Sequence, residues 1–194
     1  TVYIIPDDIV FLPRSLTGFI RDNDITEILF TPSILQGVLN SADHETLRAE
    51  LQSLRVVWVN GEVVTRRYME QALNLLPNSI RLFNTYSICE THDVCTVELT
   101  RETVAGSDVC PVGLPMDGVT VRILPEQGTA YATVGTGELH IGGRGLARGY
   151  LGRADLDQQK FVLVDGERYY STGDIAEIDS VGMVTVTGRN DSMV

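Results

Sequence analysis

Apolar residues in the first part of the chain alternate between short continuous runs and stretches with helical spacing. The runs predict β-strands at residues 2–6, 25–30, 54–59 and 80–83. Apolar positions three and four residues apart predict helices that start near residues 13 and 31 and that span residues 42–54 and 65–76. Strands that alternate with helices are typical of a mostly parallel sheet with right-handed crossovers and helices on both faces. Ligands of such sheets bind beyond the carboxyl ends of the strands, so residues 60–62 and 84–86 are expected on one rim.

The pattern changes near residue 91, where helical spacing nearly stops and glycine and proline become frequent. Short strands are predicted at residues 94–99, 119–124, 137–141 and 183–186, with one helix near residues 154–161. This second part is predicted to be a small distorted β-barrel or sandwich beside the sheet. The predicted fold class is therefore α/β, with a mostly parallel sheet and flanking helices followed by that β-rich part.

Composition and charge narrow the possible functions. Hydrophobic residues make up 43% and charged residues 21% of the 194 positions, which is ordinary for a soluble globular protein. The net charge of −11 argues against a nucleic-acid or anionic-membrane surface, but not against ATP bound with a metal ion. Cys89, Cys95 and Cys110 are an odd number and lack metal-ligand spacing, which argues against a disulfide framework or a zinc site, so a reducing cytoplasm is predicted. Neither a leader nor a long apolar run is present, so no membrane insertion is expected.

One stretch combines glycines, apolar residues and an acidic turn, and it ends in Tyr170-Ser171-Thr172-Gly173-Asp174. Taken alone, Thr172-Gly173-Asp174 favours a simple hairpin turn, because glycine and aspartate adopt turn conformations at little cost. The alternative is that the Asp174 carboxylate projects from a strand junction, where it could bind two adjacent hydroxyls. Ribose is the ligand that this alternative suggests.

The whole stretch resembles the acyl-adenylate-forming superfamily, and most closely the adenylation domains of nonribosomal peptide synthetases. The resemblance rests on three motifs in one order, which are GELHIGGRGLARGYLGR, YYSTGD and Gly188-Arg189-Asn190-Asp191. Arg189 follows Asp174 by fifteen residues. The resemblance covers essentially the whole chain but well under half of a typical family member.

The resemblance implies roles for several residues. The sequence NTYSICETHDV is similar to a family motif in which Asn84 and Tyr86 match adenine-side residues and Glu90 matches the acid that helps hold Mg²⁺ near the phosphates of ATP. Magnesium prefers hard oxygen ligands, which suits that assignment. Asp174 would hold both ribose hydroxyls, and Arg189 would reach the same sugar or the α-phosphate. By the same resemblance, Gly61 would belong to a turn that approaches the nucleotide.

Some positions depart from the family pattern. Ser87-Ile88-Cys89 stands where the family has Gly-Pro-Thr, asparagine replaces the first glycine before Gly61, and Val186 replaces an aromatic residue. His92, beside Asp93, is expected only to make a local hydrogen bond. By the same alignment, the acyl pocket would be lined by Leu29, Trp58, Asn60, Thr85, Asp93 and Val94. Trp58 is explained equally well as a core residue of a sheet strand.

The resemblance also implies parts that this sequence does not contain. The expected domains are residues 1–90, residues 91–188 and a hinge at 189–194, in which Asp191 is the pivot of a C-terminal lid. No phosphate loop followed by lysine is present, and the catalytic lysine would lie on that lid, so no catalytic residue is assigned within the chain. The isolated chain is expected to be inactive. It is expected to have an exposed apolar flank where a missing N-terminal half would dock.

The function that the resemblance implies is acid activation. ATP and a carboxylic acid, which could be an amino, hydroxy, keto or aryl acid, would give acyl-AMP and pyrophosphate. The acyl group would then pass to the phosphopantetheine thiol of a peptidyl carrier domain. The alternative is a degenerate adenylation-like platform in a megasynthase that binds no nucleotide, which the departures at Asn60, Cys89 and Val186 favour.

Overall fold

The protein is described from a computed structural model, which covers residues 1–126 and 130–190. These residues fall into two compact units that interleave along the chain. The first unit contains Thr1–Asn84 and Glu98–Cys110, and the second contains Thr85–Val97 and the described residues from Pro111 onward. The expected domain division at residue 90 stays a prediction, because compactness alone does not define an independent domain.

The first unit is built on parallel strands. These are β1 (Glu27–Phe30), β2 (Val56–Val59) and the first half of β3 (Arg81–Ile88), with β2 between the other two. Parallel neighbours need crossover connections, and here the crossovers carry helices. The helices of this unit are α1 (Asp7–Val10), α2 (Pro13–Asp22), α3 (Pro32–Leu39), α4 (His44–Glu50) and α5 (Arg66–Leu75). The predicted alternation of strands and helices is confirmed.

Helices cover one face of this parallel sheet. Helices α2, α3, α4 and α5 contact one another and form a single layer. Ile28 and Phe30 of β1 are buried, whereas Leu29 between them is 59% exposed. The strand order β1-β2-β3 has no reversal, so right-handed crossovers place the connecting helices on the same side. The expectation of helices on both faces is therefore wrong for the described residues of this unit.

The second unit is predominantly β. Strand β4 (His92–Glu98) pairs with the short β5 (Leu114–Pro115). A separate antiparallel sheet has the order β10-β9-β7-β6, with β8 paired to β9. Its elements are β6 (Val119–Leu124), β7 (Gly135–Gly143), α6 (Ala154–Lys160), β8 (Phe161–Val164), β9 (Glu167–Ile178) and β10 (Val184–Arg189). The predicted fold class, an α/β part followed by a β-rich part, is confirmed.

Alternation along these strands places the core of the second unit on one side of the antiparallel sheet. In β6, Val121 and Ile123 are buried, and in β7, Leu139 and Ile141 are buried. They pack with further apolar residues of the same unit, which are Val94, Cys95, Val112, Ala176, Ile178 and Val184.

Two element predictions differ from the structure. Residues 2–6 form no strand, and Val2 and Ile4 are 92% and 90% exposed. An apolar run becomes a strand only when a neighbour pairs with it, and in the described part of the chain none does. Strand β3 extends to Ile88, although the sequence predicted an end at residue 83. As for membranes, no helix within residues 1–126 and 130–190 combines the length and the apolar character needed to cross one.

Candidate functional site

The predicted acidic turn is a bulge within the long strand β9, and the hairpin interpretation is wrong. On one side of the bulge Ser171 pairs with His140 of β7, and on the other Ile175 pairs with Glu138. Thr172, Gly173 and Asp174 therefore lie opposite the single residue Leu139. Such an insertion bends a strand and redirects its side chains. Gly173 has φ of 77°, a conformation that favours glycine.

Hydrogen bonds from β7 fix this bulge. The Thr172 hydroxyl donates to the Leu139 carbonyl at 2.8 Å and accepts from the Asp174 amide at 2.9 Å. The Glu138 carboxylate accepts from the Gly173 amide at 3.2 Å and from the Ser171 hydroxyl. These contacts hold the main chain around Asp174 and do not involve its carboxylate.

Two donors from distant parts of the sequence meet the Asp174 carboxylate. The Tyr86 hydroxyl donates to Oδ2, and Nη1 of Arg189 donates to Oδ1 at 2.9 Å. Nη2 of Arg189 also reaches the Thr172 carbonyl at 3.3 Å. Residues 189 and 174 face each other in the β10–β9 register, so backbone pairing sets this ion pair. Asp174 is 5% exposed.

Electrostatics keep Tyr86 in its neutral form. Burial raises the pKa of Tyr86 far above its ordinary value, and the negative charge and hydrogen bond of Asp174 raise it further. The phenol therefore remains a hydrogen-bond donor throughout the neutral range. The cluster of Tyr86, Asp174 and Arg189 combines an aromatic ring, an anion and a cation, which are the groups that the sequence predicted around a nucleoside.

Glu90 lies in a second cluster of the same unit, with two tyrosines. The Tyr150 hydroxyl donates to Oε1 of Glu90 at 2.5 Å and lies 3.1 Å from the Tyr170 hydroxyl. Burial, and then the hydrogen bond to Glu90, raises the pKa of Tyr150. Burial likewise raises the pKa of Tyr170, followed by its contact with Tyr150 and the charge of Glu90. Both phenols are therefore neutral donors beside a carboxylate.

The segment that carries Tyr150 is tied to its surroundings along its backbone. The Ala147 amide donates to the Glu90 carbonyl at 2.7 Å, and the Tyr150 amide donates to Oδ1 of Asp157 at 2.8 Å. Arg168 donates to the carbonyls of Ala147 and Arg148 at 2.7 and 3.0 Å. Sequence reasoning missed Tyr150, Tyr170 and Glu138. All three lie within the motifs GELHIGGRGLARGYLGR and YYSTGD, but the motifs do not show which residues, distant in the chain, they contact.

The predicted pocket residues are divided between the two units, three in each. In the first unit, Trp58 stacks on Phe83 with ring centroids 4.7 Å apart, and its Nε1 donates to Oε1 of Glu27 at 2.6 Å. Leu29 is the register partner of Trp58 on the face that the helices leave open. Trp58 is accordingly a half-buried residue on that open face, and Asn60 follows directly after its strand.

Two predicted nucleotide residues also lie in the first unit. Asn84 is 3% exposed and is the register partner of Val59. Gly61 has φ of 94°, which fits the turn expected after β2. Beside it, Oε2 of Glu62 accepts a hydrogen bond from the Ser33 hydroxyl at 2.6 Å.

The other three predicted pocket residues differ in burial. The Thr85 hydroxyl lies 3.2 Å from the Thr96 hydroxyl. Asp93 is exposed, and its Oδ2 lies 3.5 Å from Nδ1 of His92. Val94 is fully buried in the core of the second unit, so its side chain packs against apolar neighbours in this structure. Asp191, the predicted hinge, lies outside the described residues.

A magnesium ion would have one protein carboxylate here. Within the described ranges, no group of three or more His, Cys, Asp and Glu side chains could hold a metal by itself. Magnesium commonly takes only one or two carboxylates and completes its shell with water and phosphate oxygens. Glu90 fits that donor set, whereas a closed structural zinc site would need four protein ligands.

Comparison with known proteins matches this chain to one protein family and to several relatives. The family profile described as AMP-binding enzyme matches residues 1–151. Glycine betaine reductase ATRR of Emericella nidulans is 37% identical over 199 residues, which covers 100% of this chain and 15% of that protein. Zwittermicin A synthase ZmaJ of Bacillus cereus is 34% identical over 187 residues, which covers 94% of this chain and 35% of that protein.

Solved structures agree with these relatives. PA1221, an NRPS protein containing adenylation and PCP domains, superposes with a TM-score of 0.78 at 26% identity, covering 94% of this chain and 37% of that chain. IdnL7 superposes with a TM-score of 0.80 at 27% identity, covering 98% and 38%. The chain therefore spans well under half the length of these matched proteins.

Proposed function

The chain belongs to the AMP-binding enzyme family, and on that premise we propose that it supplies the nucleotide-facing part of an adenylation site. In the proposed reaction, ATP and a carboxylic acid give acyl-AMP and pyrophosphate. The observation that carries the proposal is the bulge on β9, which brings Asp174, Arg189 and Tyr86 together. The whole reaction is assigned to a protein that contains this chain together with the remaining parts of the site.

Asp174 is the proposed ribose-binding group. A carboxylate can accept several hydrogen bonds, and the hydroxyls of a ribose are suitable donors to that of Asp174. The Arg189 guanidinium pairs with the buried carboxylate and adds a planar donor for the sugar or the α-phosphate. The Tyr86 ring offers a face on which adenine could stack.

Glu90 is the proposed acidic residue on the phosphate side. When bound, Mg²⁺ would neutralise phosphate charge as pyrophosphate leaves. The part of the chain itself is to present one oriented carboxylate, whose Oε1 is fixed by Tyr150 at 2.5 Å. The catalytic lysine is assigned to a C-terminal lid, with Asp191 as its hinge, and the chain itself supplies positioning and charge.

The acyl group would next pass to the phosphopantetheine thiol of a carrier domain. Support comes from PA1221, which contains adenylation and PCP domains and was also solved in its holo form with a vinylsulfonamide inhibitor. The residues proposed to line the acid pocket are Leu29, Trp58, Asn60, Thr85, Asp93 and Val94. The substrate class is an amino, hydroxy, keto or aryl acid, and the proposed location is the cytoplasm. The other proposed partners are the N-terminal half of the same domain and the lid.

The test is ATP–pyrophosphate exchange by the native full-length protein and its variants. Asp174→Ala and Glu90→Ala should each reduce exchange by about 10- to 100-fold, the loss expected for one charge-assisted hydrogen bond. Asp117→Ala removes an exposed carboxylate of the same unit and is the matched control. Undiminished exchange in both site variants would refute the assignments.

A second candidate function is a platform that binds no nucleotide. It is favoured by one observation, since both oxygens of Asp174 already accept hydrogen bonds and the residue is 5% exposed. Calorimetric titration of the native protein with ATP, with and without Mg²⁺, separates the two functions. Absence of heat at millimolar ATP supports the platform, and saturable heat that Asp174→Ala abolishes supports the adenylation site.

A further inference from the structure

Glu90 would need a fixed side-chain orientation to serve as a metal-side acid, since a glutamate in the turn between β3 and β4 can sample several rotamers. Fixing such a side chain costs conformational entropy, which a neighbouring donor can offset in advance. In this structure the donor is the Tyr150 hydroxyl, 2.5 Å from Oε1 of Glu90. The bond joins residues 60 positions apart in the sequence.

We propose that Tyr150 is a positioning residue for Glu90. Its hydroxyl holds Oε1, so that the carboxylate is kept in one orientation in which the other oxygen, Oε2, can bind Mg²⁺. The proposal rests on the proposed function, because it assigns Tyr150 a role only through a metal-binding Glu90. Outer-shell partners of this kind commonly change metal affinity by about 10- to 100-fold.

The backbone around Tyr150 supports a positioning role, because it is itself held at both ends. The Ala147 amide donates to the Glu90 carbonyl at 2.7 Å, so this segment and the glutamate share a main-chain hydrogen bond. Asp157 accepts from the Tyr150 amide at 2.8 Å. The first contact ties this segment to the backbone of residue 90, and the second ties the backbone of Tyr150 to α6.

Arg168 and Gly149 reinforce the same arrangement. The Arg168 guanidinium lies 3.9 Å from the centroid of the Phe161 ring and donates to the Ala147 carbonyl at 2.7 Å. Gly149 has φ of 149°, and a Cβ there would lie 2.5 Å from Oδ2 of Asp157. A larger residue at position 149 would therefore push away the carboxylate that anchors Tyr150.

Tyr170 is a second member of the cluster and lies beside both Tyr150 and Glu90. It is 6% exposed, and its hydroxyl lies 3.1 Å from that of Tyr150. It can therefore orient the Tyr150 hydroxyl toward the carboxylate. Removal of the Tyr170 hydroxyl should loosen the orientation of Glu90 without removing the bond from Tyr150 to Oε1.

The experiment is calorimetric titration of Mg²⁺ into the native full-length protein with ATP present and no carboxylic acid added, so that binding is measured without turnover. Tyr150→Phe should raise the Mg²⁺ concentration at half-saturation by about 10-fold. Binding of ATP in EDTA should stay within about twofold of the wild type, since Tyr150 is assigned no nucleotide contact. Tyr170→Phe should shift the Mg²⁺ midpoint in the same direction by a smaller factor, and it keeps the test available if Tyr150→Phe does not fold.

Two controls isolate the route of the effect. Tyr131→Phe removes a tyrosine hydroxyl elsewhere in the second unit and should leave the Mg²⁺ curve unchanged. In a Glu90→Gln background, Tyr150→Phe should cause no further shift, because a positioning residue acts through its partner. A thermal melt of each variant excludes unfolding as the cause.

The outcomes separate the two proposals. If the wild type shows no Mg²⁺-dependent binding of ATP, the proposed adenylation site and the proposed role of Tyr150 are both refuted. If the wild type binds ATP with Mg²⁺, but the Mg²⁺ binding curve of Tyr150→Phe is the same as that of Tyr131→Phe, only the positioning role is overturned. A shift that persists in the Glu90→Gln background overturns it too, because Tyr150 would then act elsewhere.

Discussion

The hydroxyl of Tyr86 donates a hydrogen bond to Oδ2 of Asp174, although 88 positions separate the two residues in the sequence. Arg189 holds the other oxygen of the same carboxylate at 2.9 Å. A ribose hydroxyl that binds Asp174 must therefore share an oxygen with one of these donors or replace it. Tyr86 is the donor more easily replaced, because Arg189 balances the buried charge.

Tyr86→Phe should separate the two properties of this tyrosine. The variant keeps the ring and loses the hydroxyl, so the proposed stacking face remains while the bond to Asp174 disappears. We expect the free energy of unfolding to fall by about 1–3 kcal/mol, because a charged acceptor loses a donor. Affinity for ATP should be equal to or higher than that of the wild type, because Oδ2 is relieved of a competing donor.

Urea denaturation measures the stability of this variant, and calorimetry measures its affinity. Tyr86→Ala is the comparison, since it removes the ring as well and should weaken nucleotide binding. If Tyr86→Phe loses as much affinity as Tyr86→Ala, the hydroxyl contributes to binding directly and the competition argument is wrong.

Alkaline pH provides an independent test of the same contact. Burial, and then the charge of Asp174, raises the pKa of Tyr86 above its ordinary value of 10.0. The folded state therefore holds the phenolic proton more tightly than the unfolded state does. The stabilisation is complete below about pH 10, and it is lost as pH rises above that value because the unfolded chain ionises first.

The measurement is the free energy of unfolding of wild type and Tyr86→Phe between pH 8 and pH 11. The wild type should lose stability more steeply above pH 10 than the variant. The variant should still lose some stability above pH 10, because burial also raises the pKa of Tyr170. Parallel curves for the two proteins would show that Tyr86 does not carry the effect.

The bulge on β9 gives a third prediction, at Glu138. Glu138→Ala removes the acceptor for the Gly173 amide and the Ser171 hydroxyl, so two donors lose their partner. Stability should fall by about 1–3 kcal/mol, and ATP affinity should fall with it because Asp174 is displaced. Glu177→Ala is the matched control, since Glu177 lies on the same strand β9 and is exposed. Stability is measured by urea denaturation, and an equal loss in both variants would contradict a specific role for Glu138.

The sequence predicted part of this site and missed the rest for physical reasons. The motif places Arg189 fifteen residues after Asp174, and the structure pairs the two because adjacent antiparallel strands bring residues that close in sequence into register. The motif could not distinguish a hairpin turn from a bulge, since glycine and aspartate suit both. The difference depends on Leu139, whose pairing with β9 is a long-range property that no local pattern contains.

The same distinction between local and long-range information explains the fold. The bounds of β6 were predicted at residues 119–124 and are Val119–Leu124, because period-two alternation is local. The strand predicted at residues 2–6 needed a neighbour that local composition could not reveal. The bond from Tyr150 to Glu90 spans 60 positions in the sequence, so no local spacing rule identified it.

The open face of the parallel sheet gives the last prediction, which uses two neighbours on β1. Ile28 is 9% exposed and Leu29 is 59% exposed, so they point to opposite faces. Ile28→Ala should cost about 2–5 kcal/mol of unfolding free energy through lost burial and a cavity. Leu29→Ala should cost no more than about 0.5 kcal/mol in the isolated chain, because its side chain already meets solvent.

Urea denaturation compares the two variants. The same two variants measured in the native full-length protein report whether another segment covers that face. A loss at Leu29 that appears only in the longer protein would support the expected docking flank, whereas equal small losses in both contexts would mean that the face stays open to water.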